Sequence, residues 1–129
     1  MDNSGWSKFF KFWFPAILYS GIIFWVSSQP HVKTPMPQLR FDAVLHLLAY
    51  MPFGFLLARA VDQTKKSVPW QLLFGLVLLG AFVYGISDEF HQSFVPGRSA
   101  EAFDLIADTI GGGAGGYIYL LFAARLRKK

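Results

Sequence analysis

The sequence predicts an all-α, polytopic membrane protein whose four transmembrane helices form one bundle. Hydrophobic residues make up 53% of the 129 residues and aromatic residues 18%, whereas charged residues make up only 16%. Soluble domains carry about 25% charged residues. The apolar residues are also collected into runs close to the ~20 residues that cross a bilayer core. Four runs have this character, at residues 12–28, 42–61, 70–94 and 103–123.

The first run is the one with a competing interpretation. It follows Lys8 and Lys11 and has Trp13 and Trp25 near its ends, as interfacial aromatic residues do. A cleaved signal peptide is the alternative, with residues 26–28 as a loose imitation of a small-residue cleavage site. The aromatic bulk that continues to Trp25 favours a membrane helix.

The later runs follow in order with short polar connections. The second run ends in a polar inner loop, and the third begins at Trp70 after Pro69. A tight turn at 95–99 separates the third run from the fourth. Together the helices use nearly the whole chain, which predicts a single membrane domain over residues 1–129. The sequence contains no cysteine, which excludes disulfides and thiolate chemistry.

Glycines are concentrated in the fourth run. They form two overlapping pairs with a spacing of four residues, which lets another helix backbone approach closely. Close packing within the bundle is the favoured explanation, and a homo-oligomer through this helix is the alternative. The glycines are Gly111, Gly112, Gly113, Gly115 and Gly116.

The basic residues predict that both termini lie on the cytoplasmic side, because Lys and Arg are retained there. Nine of the twelve basic residues fall on the side of the N-terminus, and only Lys33, Arg40 and Arg98 fall on the other. The acids divide the other way, with two inside and six outside. The net charge of +4 therefore splits into 9 − 2 = +7 inside and 3 − 6 = −3 outside. Such a split indicates contact with anionic lipid head groups and no nucleic-acid partner.

Ionisable side chains occur in the outer halves of three predicted helices at matching depths. Charged residues in hydrocarbon are energetically costly, so they suggest a functional site by default. Residues four apart share a helix face, which aligns Asp42, His46 and Tyr50 on the second helix and Asp104 with Asp108 on the fourth. On the third helix, Tyr84, Asp88 and His91 share a face, with Gln92 at its edge and Glu89 turned away.

These residues predict a shared pocket that opens to the outer side. The candidates for catalysis are Asp88, His91, His46 and Asp108. The candidates for ligand binding are Arg98, Asp42, Tyr50, Tyr84, Glu89, Gln92 and Asp104.

Each candidate also has a plain structural alternative. Asp42 and Asp104 can simply stabilise helix N-termini, and His46 can be a hydrogen-bonded packing residue. Tyr50 and Tyr84 can be core aromatic residues, whereas Glu89 can pair with Arg98.

Several neighbouring carboxylates cannot all ionise without a counter-charge. One solution is a divalent metal as cofactor, where His with Asp and Glu suits Zn²⁺ or Mn²⁺ and oxygen ligands alone suit Mg²⁺ or Ca²⁺. The other solution is that the carboxyl groups share protons, with Arg98, His46 and His91 supplying positive charge. No spacing matches a specific metal motif, so the cofactor stays open.

Four motifs carry a resemblance to a known family. They are YGISDEFHQ at 84–92, VPGR at 95–98, D-x3-D-x2-G at 104–111 and D-x3-H-x3-Y at 42–50. With them the sequence resembles the VanZ-like family over nearly its whole length, although Asp108 stands where members often have Asn. The resemblance implies a small bacterial membrane protein of the cell envelope. The family's namesake is associated with low-level resistance to the glycopeptide teicoplanin.

The leading functional hypothesis is a VanZ-like protein of the bacterial cytoplasmic membrane. Its outward-facing pocket would bind or modify a cell-envelope or lipid-linked ligand, with a link to glycopeptide resistance and a glycopeptide as one candidate ligand. The alternative is an intramembrane hydrolase or transferase acting on a phospholipid or polyprenyl-linked substrate. An ion-coupled transporter is disfavoured, because transporter sites lie near the bilayer midplane and the inner halves of these helices lack ionisable residues.

Overall fold

A computed structural model describes residues 3–30, 41–65 and 67–128, and all regular structure in these ranges is helical. Helix one is a succession of an α-helix at Asn3–Lys8, a π-helical segment at Phe9–Trp13 and an α-helix at Phe14–Ser27. Helix two covers Phe41–Thr64, helix three Trp70–Gln92 and helix four Ala102–Arg127. Each of the four is long and apolar enough to cross a membrane. The prediction of four membrane helices is confirmed.

The helices differ from the predicted runs at their ends. Helix one begins near residue 3 instead of 12, and helices two and four continue to Thr64 and Arg127. Residues 31–40, which connect helices one and two, lie outside the described residues, and Lys33 and Arg40 of the charge count are among them. The same holds for Asp2, Lys66 and Lys129. Which membrane face each end occupies stays a prediction from the charge distribution.

Helix four packs closely against helix two through its glycines. A Cβ added to Gly111 would overlap the carbonyl oxygen of Leu47, and one added to Gly115 would overlap that of Met51. Only residues without a side chain allow two helix backbones to approach to this distance. The spacing of four residues repeats the contact one turn later.

The neighbouring glycines of helix four face helix three. A Cβ at Gly116 would lie 2.8 Å from Val77 Cγ1, and one at Gly112 would overlap the Cβ of Ala81. Helix four therefore lies between helices two and three, and 44% of its most apolar window is buried. Packing within the bundle accounts for these glycines.

Helix one is the outermost helix, with only 11% of its window buried. Ile23 packs against Tyr50 and Phe53 of helix two, and polar contacts also attach the helix. Tyr19 Oη donates to the carbonyl oxygen of Ala49 at 2.8 Å, and Trp13 Nε1 donates to Thr64 Oγ1 at 2.6 Å. Space therefore remains between helix one and the rest of the bundle.

A group of hydrogen-bonded polar side chains joins helices two and four at the end of the bundle far from His46. Buried Asp62 accepts hydrogen bonds from Tyr119 Oη at 2.7 Å and from Arg127 Nη2 at 2.8 and 3.0 Å. The expectation that the helix halves far from the cluster lack ionisable residues is therefore wrong at Asp62, which is buried within helix two and has its polar partners within the protein.

Candidate functional site

His46 is the centre of a cluster that joins helices two, three and four. Its Nδ1 lies 2.8 Å from Asp108 Oδ1 and 4.0 Å from Glu89 Oε1, and its Nε2 lies 3.8 Å from Asp104 Oδ2. Because a carboxylate only accepts hydrogen bonds, Nδ1–H of His46 donates to Asp108. In the neutral ring, that bond leaves Nε2 as the acceptor nitrogen, on the side of Asp104.

Asp108 reaches His46 because the facing residue of helix three is a glycine. A Cβ added to Gly85 would lie 3.1 Å from Asp108 Oδ2 and 2.9 Å from Leu105 Cδ1. An added Cβ would therefore require small shifts of Asp108 and of the end of the Leu105 side chain. Asp108 is 0% exposed.

Asp88 connects helix three to helices one and two. Tyr50 Oη and Gln92 Nε2 both donate to Asp88 Oδ2 at 3.4 Å, and Gln92 Nε2 also donates to Ser27 Oγ at 3.3 Å. All four of these residues are buried. The sequence places Asp88, Tyr50 and Gln92 at one depth, and the structure brings them into contact.

Glu89 corrects the sequence-based interpretation. It is not turned away from the cluster, and its partner is not Arg98. Its Oε2 accepts the backbone N–H of Glu101 at 2.9 Å, and its Oε1 approaches His46. Helix three has neighbours on two sides: the face of Asp88 meets helix two, and the face of Gly85 and Glu89 meets helix four. Arg98 instead donates to the carbonyl oxygen of Gln29 at 2.8 Å.

His91 and Tyr84 face helix one. The His91 ring stacks on Phe24 with centroids 4.0 Å apart, and its Nε2 lies 3.4 Å from Ser28 Oγ. Tyr84 Oη donates to the carbonyl oxygen of Ser20. The structure therefore places these two candidates outside the His46 cluster.

A cavity of about 260 Å³ lies between helix one, helix two and the His46 cluster. The sequence candidates that line it are Asp42, His46, Tyr50, Asp88, Gln92, Arg98 and Asp104. Glu89 and Asp108 lie behind this lining, in contact with His46. The apolar lining includes Ile22, Val26 and Leu45, which are 49%, 51% and 47% exposed and stand at the outer surface of the bundle.

Comparison with known families gives one match. The family model described as VanZ/LLP1 matches residues 5–123, which is nearly the whole chain. This chain belongs to the VanZ/LLP1 family. No curated protein and no solved structure matches it. The family resemblance predicted from the motifs is confirmed.

The sequence did not single out the helix-one residues of this VanZ/LLP1 cavity. Tyr19, Ile23 and Ser27 line it together with the apolar residues above. Helix one has no acidic residue or histidine, so nothing in its pattern indicated a site. Ser27 was interpreted only as part of an imitation cleavage site, whereas it accepts a hydrogen bond from Gln92.

Several buried carboxylate oxygens of this VanZ/LLP1 cluster have no hydrogen-bond partner among the described residues. They are Asp88 Oδ1, Glu89 Oε1 and Asp108 Oδ2. Two like charges about 4 Å apart repel by roughly 4 kcal/mol at an effective dielectric constant near 20. Four carboxyl groups around one imidazole therefore need compensation by protons or a cation.

Two sets of three residues have the proximity that a metal ion requires. One set is His46, Asp88 and Asp108, and the other is His46, Glu89 and Asp104. Within each set the potential ligand atoms lie within 4.8 Å of one another. Imidazole with carboxylates suits Zn²⁺ or Mn²⁺ among the common divalent ions.

Proposed function

We propose that this VanZ/LLP1 protein binds a lipid-linked cell-envelope ligand, with the polar head in the cavity beside His46. The observation that carries the proposal is the division of the cavity into two surfaces. Its floor has Asp88, His46 and Asp104, and its outer wall has half-exposed apolar side chains. An amphipathic ligand would find a partner for each of its two ends.

The apolar wall provides a lateral route from the bilayer. Ile22 and Val26 of helix one and Leu45 of helix two line the cavity and are also about half exposed at the bundle surface. In a membrane, that surface faces lipid chains. A ligand can therefore enter between helices one and two without leaving the bilayer, while its acyl or prenyl chain stays among lipids.

The size of the cavity limits what it encloses. A volume of about 260 Å³ is slightly below the roughly 300–1,000 Å³ of sites that enclose drug-sized molecules. It therefore holds a head group and the adjoining part of one chain, not a whole lipid. The excess of basic residues on the predicted inner side supports our proposal that this cavity lies in the outer leaflet.

Narrowing the lateral opening tests the proposal. We expect Leu45→Trp to fill the entrance and to reduce photocrosslinking of a photoreactive polyprenyl phosphate to the protein in nanodiscs. Ile106→Trp is the matched control, because Ile106 also lies four residues into its helix and is 52% exposed. Mass spectrometry of the crosslinked peptides should identify residues of helices one and two. Equal labelling of both variants would contradict binding in the cavity.

A hydrolase or transferase is the second candidate, favoured by the hydrogen bond between His46 and Asp108. A carboxylate that holds one imidazole nitrogen leaves the other as a general base. Here Nε2 is on the side of cavity-lining Asp104. Nε2 of His46 would take a proton from a water molecule, whose oxygen would form a bond to the phosphorus of a lipid-linked phosphate. The bond from that phosphorus to the lipid-side oxygen would break, and the leaving lipid alcohol or lipid phosphate would receive the proton from His46. His46→Gln would then abolish phosphate or head-group release while crosslinking persists. Release unchanged in His46→Gln would exclude this candidate.

A further inference from the structure

Several buried carboxylate oxygens behind the cavity have no hydrogen-bond partner among the described residues, which indicates that a ligand binds there. Glu89 Oε2 is occupied by the backbone N–H of Glu101 at 2.9 Å. Glu89 Oε1 is therefore left without a hydrogen bond, buried and 4.0 Å from Nδ1 of His46. Asp108 Oδ1 is occupied by His46, whereas its Oδ2 has no partner. Buried polar atoms normally have partners, so each exception requires an explanation.

Shared protons explain these oxygens poorly. A protonated carboxyl group is a donor and requires an acceptor. For Glu89, a ligand of the site proposed below, the described residues place no hydrogen-bond acceptor within reach of Oε1, and its other oxygen only accepts the backbone N–H of Glu101. A cation uses carboxylate lone pairs directly and also supplies the missing positive charge.

The position of His46 selects between the two possible ligand sets. Its Nδ1–H donates to Asp108 at 2.8 Å, which directs the lone pair of Nε2 to the side of Asp104. Metal-bound histidines usually donate their other ring N–H to a carboxylate in this way. Asp108 therefore acts as the orienting residue, and the set of His46, Glu89 and Asp104 supplies the ligands.

We propose that His46, Glu89 and Asp104 bind a divalent transition-metal ion, Zn²⁺ or Mn²⁺, with Asp108 as the positioning residue. Their ligand atoms lie within 4.8 Å of one another, and metal–ligand distances of roughly 2.0–2.2 Å require separations up to about 4.4 Å. Because Glu89 Oε1 lies 4.0 Å from Nδ1, the Glu89 side chain has to rotate toward Nε2 for the three residues to bind one ion. Because His46 and Asp104 line the cavity, the ion would be accessible to the head group of a ligand.

Metal titration of the purified full-length protein tests the site. The protein in detergent is stripped with EDTA and titrated with ZnCl₂ or MnCl₂, and binding is measured by calorimetry and elemental analysis. We expect one ion per chain. Asp108→Asn should weaken binding by roughly 10- to 100-fold, as for other residues that orient a ligand. His46→Gln, Glu89→Gln and Asp104→Asn should weaken it further.

Two control variants separate a ligand role from a general loss of charge. Asp42→Asn removes a carboxylate from the same face of helix two, and Asp88→Asn removes the acid of the competing set. Both should keep the affinity of the unmodified protein. Circular dichroism verifies folding, and a metal-dependent rise in melting temperature gives a second reading of binding.

The outcomes that overturn the site are specific. Folded unmodified protein that binds neither ion, or His46→Gln that binds as well as the unmodified protein, would exclude it. Loss of binding in Asp88→Asn with retention in Glu89→Gln would reject the proposed ligands. Only the metal is measured, so the result is independent of whether the cavity binds a lipid-linked ligand.

Discussion

Replacing Gly115 with alanine tests whether backbone contact between helices two and four holds the bundle together. The added Cβ would overlap the carbonyl oxygen of Met51, and it would also lie 2.9 Å from the backbone nitrogen of Phe55. Neither atom is the end of a flexible side chain, so the helices must separate. In a bilayer, helix association depends on van der Waals packing more than on hydrophobic burial. A gap of about 1 Å already removes roughly half of such a contact's energy.

The expected loss is about 1–3 kcal/mol of unfolding free energy, the usual range for overpacking. Gly75→Ala is the control, because a Cβ there would meet nothing within 4 Å. In a helix, alanine is favoured over glycine by roughly 1 kcal/mol, so Gly75→Ala should be neutral or stabilising. The difference between the two variants should therefore amount to about 1–4 kcal/mol.

Unfolding in mixed micelles, measured by steric trapping or by titration with sodium dodecyl sulfate, gives this difference directly. Gly21→Ala provides a second control in helix one, where an added Cβ also meets nothing within 4 Å. If Gly115→Ala is as stable as Gly75→Ala, helices two and four are not in the close contact on which the His46 cluster depends.

Three further predictions concern other parts of the molecule. Arg127→Gln should reduce the unfolding free energy by about 1–3 kcal/mol, because buried Asp62 loses two hydrogen bonds from its charged partner. When Asp62 is already replaced by Asn, Arg127→Gln should have little effect on the unfolding free energy. Ser99→Cys, the sole cysteine of such a variant, should react with an impermeant maleimide added outside intact cells, and reaction only from the cytoplasmic side would reverse the predicted orientation. His91→Phe should retain photocrosslinking of the polyprenyl phosphate, because phenylalanine preserves the stack on Phe24. A loss of crosslinking as large as that expected for Leu45→Trp would show that His91 takes part in binding.

Periodicity predicted the part of the site in which one helix presents one face. Asp42, His46 and Tyr50 are four residues apart on helix two, and all three line the cavity. Asp104 and Asp108 are likewise four apart on helix four, and both approach His46. A spacing of four residues is enough here, because local helix geometry alone determines which side chains share a face.

The same reasoning failed for helix three, which contacts neighbours on two sides. Glu89 lies about 100° around the helix from Asp88. The sequence analysis kept it as a ligand-binding candidate but predicted that it turns away from the face of Asp88. The structure shows helix four packed against the Gly85 face, which brings Glu89 to His46. Conversely, His91 shares a face with Asp88 but meets Phe24 of helix one.

The sequence by itself determined the number of membrane helices, the family and the depth at which polar residues accumulate. Those properties follow from hydrophobic length, motif and position along each helix, all of which can be counted along the chain. Only the tertiary structure decided that Glu89 joins His46, that Arg98 contacts the end of helix one, and that helix one supplies the apolar wall of the cavity. These features depend on how each helix is rotated against its neighbours. That rotation is determined by contacts such as Gly115 against Met51, between residues far apart in the sequence.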